Sequence, residues 1–222
     1  MNSSCVLYAS MPPLLQRIPL LLLIISLPVP AAHKPPEHLF GYQEFSRSDL
    51  SLFPQWLSVL KRHMMDMTPQ GQCDTPVFNQ CHLKNWLAFL DSIRSLSADE
   101  QLRKVNEYAN QKEYILDMEN YGIEDYWATP KQFLQNSGDC EDYAIIKMLS
   151  LEQLGFDAQQ MRVVVVQDTN LRIAHAVMSI NSGEDILILD NQIKEVISHR
   201  AIFHYVPVYS VNETHWWMHL PN

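Results

Sequence analysis

The chain has 222 residues, 47% of them apolar and 18% charged, with a net charge of −9 at neutral pH. That length suits one domain, or two lobes sharing a core. The acidic balance, with no basic run anywhere, excludes a nucleic-acid partner held by clustered Lys and Arg.

Near the start, Arg17 precedes "IPLLLLIISLPV", and small residues follow at Ala31 and Ala32. About a dozen apolar residues fit the core of an export signal, whereas a membrane span needs roughly 20. Pro28 and Pro30 would also interrupt a spanning helix. Residues 1–32 are therefore expected to be a signal peptide, with Met11 as a second candidate start; an uncleaved anchor is the alternative. Residues 33–41, "HKPPEHLFG", read as a Pro-rich linker, and 42–222 as the mature, exported domain.

Loss of the signal removes Cys5 and leaves Cys73, Cys81 and Cys140. In an oxidising compartment Cys73 and Cys81 could close the loop "CDTPVFNQC" as a disulfide, with Cys140 the odd thiol. Three reduced thiols are the alternative.

From the linker to about Gly155 the apolar period is helical. It recurs in "FPQWLSVLKRHM" and again in "LKNWLAFLDSIRSL". "SADE", Ser97 to Glu100, has the form of a capping box, and the helix it opens carries Leu102, Val105 and Tyr108/Ala109 on one face. "YWATP" then breaks the pattern.

The next helix, "CEDYAIIKMLSLEQLG", has an apolar face of Ala144, Ile145, Met148, Leu149 and Leu151, and Gly155 as its stop. Asp139 suits the N-cap, which puts Cys140 at the first helical position. The free amides and dipole there favour a thiolate. Three carboxylates, Asp139, Glu141 and Asp142, oppose it unless something offsets their charge. The bland alternative is a well-capped helix with a solvated acidic first turn.

After Gly155 the period changes to two, with β-branched runs in "MRVVVVQD", "RIAHAVMSI", "DILILD" and "YVPVYSV". If "NSGE" (181–184) is a four-residue connection, Ile180 pairs with Asp185 and His175 falls opposite Asp190. Cross-strand partners share a face, so the carboxylate can orient the imidazole. The tail "HWWMH" sets His215 and His219 four apart, a spacing that shares a metal on a helix. No Glu lies between them, and no site is assigned there. A helical first half followed by a mostly antiparallel sheet makes an α+β domain.

The segments "DYWATP" (125–130), "GDCEDYAIIK" (138–147), "AHAV" (174–177), "LDN" (189–191) and "PVYSVN" (207–212) occur in the order found in the bacterial transglutaminase-like cysteine proteinases, and the chain resembles that family over most of residues 42–217. The resemblance implies a papain-like or transglutaminase-like fold, with the cysteine helix packed on the antiparallel sheet. It implies Cys140 as nucleophile, His175 as general base and acid, Asp190 as its orienter, and a Ca²⁺ ion held through Asp139, Glu141 and Asp142. It also implies a periplasmic endopeptidase that cuts a large surface adhesin near its N-terminus and so controls biofilm release. An inner-membrane cyclic di-GMP receptor is the implied partner. Two other readings keep some of these parts: a transglutaminase with the same triad, and a non-catalytic calcium-stabilised binding module. The Cys73/Cys81 loop and the Trp/His-rich tail have no place in the family pattern.

Overall fold

The computed structural model describes residues 38–68 and 81–222, with the side chain of Cys81 excepted. The signal peptide, the linker up to residue 37 and the Cys73–Cys81 pairing therefore lie outside the described residues.

Among the described residues seven strands form one sheet in the order β1-β7-β6-β2-β3-β4-β5, every neighbouring pair antiparallel. They are β1 (Gln43–Arg47), β2 (Met161–Asp168), β3 (Ile173–Ser182), β4 (Asp185–Leu189), β5 (Ile197–Ser198), β6 (Tyr205–Val211) and β7 (Trp216–Leu220). The helices are α1 (Pro54–Met67), α2 (Cys81–Ile93), α3 (Ala98–Asn110), α4 (Asp117–Asn120), α5 (Pro130–Asn136) and α6 (Cys140–Leu154). The α+β expectation holds, with two additions at the sheet edge. β1 precedes all the helices, in a stretch read as helical, and β7 is the Trp/His tail. Neither carries the alternation of a half-buried strand, because most of its residues stay partly or fully exposed at the sheet edge.

The run of four valines in β2 has a plain cause. Val163 packs against the helices, while Val164 and Val166 pack into a second cluster with Leu39, Ile186 and Tyr205 on the far face. A strand covered on both sides needs apolar residues at consecutive positions.

Ser97 and Glu100 make the expected reciprocal cap, and Leu102, Val105 and Ala109 are buried. The apolar face anticipated on α6 proves to be its whole circumference: every residue from Glu141 to Leu151 is buried. α6 lies between the sheet and the helices α2, α3 and α5, so each face meets a neighbour. Each fully buried Leu or Ile there contributes about 1.5–3 kcal/mol. Gly155, at φ 98, ends the helix, and the Phe156 amide closes back onto the Leu151 carbonyl at 3.0 Å.

A candidate active site at the start of helix α6

Cys140 is the first residue of α6, as its sequence context requires. Asp139 occupies the N-cap position, but its side chain makes no capping hydrogen bond. Two features set this corner. Ser137 leaves α5 at φ 62 and ψ −166, a conformation costly for a residue with a Cβ. Gly138 then passes so close to Asp142 that an added Cβ would lie 2.0 Å from Asp142 Oδ2. Only glycine lets the Asp142 carboxylate fold back against the turn.

Two distant segments complete an acidic cluster. Gly138 bridges to Tyr114, and the Ile115 amide donates to the Gly138 carbonyl at 2.9 Å. That contact brings in Asp117, at the start of α4. The "DYWATP" stretch wraps the other side: the Tyr126 amide donates to Asp117 Oδ2, and the Ala128 amide donates to Asp142 Oδ1 at 2.6 Å. Oxygens of Asp117, Asp139 and Asp142 lie within 4.8 Å of one another, as do those of Asp117, Asp125 and Glu141. A third grouping sets Asp139 and Glu141 beside the Cys140 sulfur, so the expected ligands Asp139, Glu141 and Asp142 fall into overlapping sets that also take in Asp117 and Asp125.

The chemistry of this cluster fits a hard cation. Asp117 Oδ1, Asp139 Oδ1 and Asp142 Oδ2 are buried without a hydrogen-bond partner. Burial and crowding push the carboxyls up, Asp117 to about 6 and Glu141 to about 10. Asp139 and Asp142 are raised too, burial again being the main cause. Without a cation these acids cannot all ionise. With one, orphaned carboxylate oxygens are the donor set that suits calcium, while the Cys140 sulfur is too soft to share it.

The thiol feels the same field. Cys140 Sγ–H donates to Glu141 Oε2 at 3.3 Å. Burial, followed by the charges of Glu141 and Asp139, drives its pKa far above the ordinary thiol range. The helix-start amides expected to lower it are outweighed while the acids stand uncompensated.

Across a cavity of about 200 Å³, Cys140, Glu141 and Asp125 face Ala174, His175 and Ala176. Trp127 is 5% exposed, packs into the core and also lines this cavity. His175 Nε2 meets Asp190 Oδ1 at 2.9 Å. The hairpin reaches this pairing by a different register from the one expected. Ser182 pairs with Asp185 and Met178 with Leu189. The strands thus run on to a two-residue turn whose first residue, Gly183, has φ 63. Gln192, not Asp190, is therefore the continuation of the ladder opposite His175. The shift is two residues, so parity survives and Asp190 reaches the ring diagonally.

Sequence reasoning missed two members of this network. Tyr205 donates its hydroxyl to Asp190 Oδ2 at 2.6 Å. Gln192 donates its amide N–H to Asp190 Oδ1 at 2.9 Å, and its side chain lies 3.3 Å from His175 Nδ1. Burial alone would raise the Asp190 carboxyl, but His175, Tyr205 and the Gln192 amide together hold it below the usual value. Gln192 sits directly after the quoted "LDN", which offered a hint. Tyr205 and Asp117 carried no local signal.

Comparison with known proteins agrees with this architecture. The sequence model for the bacterial transglutaminase-like cysteine proteinase BTLCP matches residues 78–222. Solved structures of Legionella pneumophila LapG and of its calcium-bound form are each 31% identical, with TM-scores of 0.57, covering 72% of this chain and 87% of theirs. An EGTA-treated form of the same protein matches with the same identity and TM-score over 84% of its length. No curated protein matches significantly. The helices stacked on an antiparallel sheet are a transglutaminase-like fold, and the chain belongs to the bacterial transglutaminase-like cysteine proteinase family.

Proposed function

We propose that this protein is an exported, calcium-dependent cysteine endopeptidase in which Cys140 is the nucleophile, His175 the base and acid, and Asp190 its orienter. The reading rests on one observation above the others. Cys140 and His175 line the same cavity, and the ring of His175 is tied to a buried carboxylate. Because Nε2 is committed to Asp190, Nδ1 is the nitrogen left to move a proton.

His175 Nδ1 takes the Cys140 proton as the sulfur attacks the scissile carbonyl. The Cys140 backbone amide, at the helix start, donates to the oxyanion. Collapse of the adduct breaks the C–N bond, the imidazolium protonates the leaving amine, and a thioester remains. Water then attacks the thioester, giving the carboxylic acid and restoring the thiol. Asp190, with Tyr205 behind it, holds the ring throughout. A calcium ion held by Asp117, Asp139, Glu141 and Asp142, with Asp125 alongside, would supply charge that permits these acids to ionise beside a thiolate.

The "IPLLLLIISLPV" segment supports export to the periplasm. For substrate we propose the N-terminal region of a large surface adhesin, whose cleavage releases the adhesin and disperses biofilm. For partner we propose an inner-membrane cyclic di-GMP receptor of LapD type. These assignments follow from the family likeness.

The test is cleavage of the candidate adhesin region by wild type and Cys140→Ala, each in calcium or EGTA, read by mass spectrometry. Cleavage is expected only for wild type in calcium. Equal cleavage by Cys140→Ala, or a calcium-loaded Cys140 inert to iodoacetamide, would overturn the assignment. Adducts with an added amine in place of hydrolysis products would make the protein a transglutaminase instead.

A further inference from the structure

The register of the sheet lines up five side chains that the hydrolysis does not use. Ala176 lies opposite Val165, Val165 opposite Tyr209, Tyr209 opposite Met218, and Met218 opposite Phe45. Partners across a ladder share a face. These residues therefore form one row running over β3, β2, β6, β7 and β1 to the edge of the sheet. Ala176, Val165 and Tyr209 line the cavity that holds Cys140 and His175. Met218 and Phe45 lie beyond it and are 44% and 45% exposed.

A scattered exposed apolar residue is ordinary and needs no explanation. This pair differs because it continues the cavity wall. It is also built on an anchored support. On the opposite face of the same strands, His219 is buried and its Nε2 lies 3.0 Å from the Ser210 hydroxyl. Trp217 packs beside the Arg162 guanidinium at 3.8 Å, and Arg162 bonds Glu44 at 2.8 Å. The edge strands β1 and β7 are thus held firmly from below, with their upper apolar face left open. One flank carries an aromatic wall: the Phe53 ring lies 5.0 Å from Tyr209 and 5.3 Å from Trp216, centroid to centroid.

Spacing sets what the row can read. Strands lie about 4.8 Å apart, so Phe45 stands roughly 10 Å beyond Tyr209. An extended peptide covers that distance in about three residues. Met adapts its shape to varied apolar groups, and Phe offers a flat face at the end.

We propose that Tyr209, Met218 and Phe45 form an extended subsite for the polypeptide substrate, seating an apolar side chain about four to six residues from the scissile bond, the reach of the three to four strand spacings that separate Ala176 from Met218 and Phe45. The proposal rests on the protease reading above and gives it a sequence preference. The occupant is the substrate chain because the row has no break between the reacting residues and the sheet edge.

The test uses internally quenched peptides in which each of about six positions on either side of the mapped cut carries Leu or Ser, with the calcium-loaded protein. Wild type is expected to favour Leu over Ser by about tenfold or more in kcat/KM at one position, on one side of the cut, in line with what an apolar pocket discriminates. Phe45→Ser combined with Met218→Ser is expected to reduce that preference to about twofold or less, and Met218→Leu to retain it. Alkylation of Cys140 by iodoacetamide, too short to reach β7, serves as the internal reference. Normal alkylation with an undiminished Leu preference in the double variant overturns the subsite alone. Absence of both alkylation and cleavage in wild type overturns the protease reading and the subsite with it. A concentration-dependent dimer that the double variant loses would assign the row to a second copy of this chain and overturn the proposal.

Discussion

Around Asp190 both carboxylate oxygens have partners: His175 and a backbone amide on one, the Tyr205 hydroxyl on the other. Around Asp142 the situation is reversed, and three buried carboxylate oxygens have none. The first region is complete as built, because neutral donors and one imidazole stabilise a single charge. The second gathers several acids with few donors, an arrangement that holds together only protonated or around a cation. The same fold therefore contains one half whose charge is already matched by its own donors and one whose charges are not. Cys140 belongs to the half crowded with acids, and His175 to the other.

Replacing Asp190 by Asn should separate the halves most sharply. The amide keeps the shape but loses the charge that orients His175, and kcat should fall by about 10³–10⁴-fold, by analogy with the same change in a Ser-His-Asp triad. The rise in Tm on adding calcium should persist in full. A variant that also lost the calcium response would break the separation, since it would mean the two networks are one.

The converse variant is Gly138→Ala. Its Cβ would sit 2.0 Å from Asp142 Oδ2, so the carboxylate must move. Calcium affinity, measured by titration calorimetry, should weaken by about 10–100-fold, the usual range for disturbing the support of a metal ligand. The near-ultraviolet signature of the His175–Tyr205 region should be unchanged. Wild-type affinity in this variant would remove Asp142 from the ligand set.

A smaller effect lies in the pH dependence of the metal-free protein. Asp117 and Glu141 have folded-state pKa values raised to about 6 and about 10. A raised carboxyl contributes stability that is fully present below its unfolded pKa, near 4, and is lost as pH rises through the folded value. In EGTA, Tm should therefore decline from about pH 4 towards pH 10, and calcium should flatten that slope. A metal-free Tm that climbed over this interval would contradict the crowded-acid reading.

Local periodicity carried most of the fold. The valine run, the Ser97 cap and the Gly155 stop are each decided within a few residues, and each is found where the pattern puts it. The placement of Cys140 at a helix start is local in the same way. Pairings between remote segments left no such trace. β1 and β7 are joined across more than 170 positions, and "QEFSR" has no reason to alternate when its strand is largely exposed. Asp117 reaches the acid cluster only because Gly138 docks on the preceding loop, and Tyr205 reaches Asp190 from another strand. The hairpin is the instructive middle case. Its turn length was misjudged by two residues, yet the side-chain period of two preserved the relation between His175 and Asp190.

The encasement of α6 constrains how this protein could be switched on and off. Its residues from Glu141 to Leu151 are gripped from every direction, so the backbone that carries Cys140 cannot shift without disturbing the domain's interior. Amide hydrogens along that rod should be among the last to exchange with heavy water, opening only with complete unfolding. Under the protease reading, an inhibitor would then act by obstructing the approach to Cys140 and not by displacing the helix that carries it.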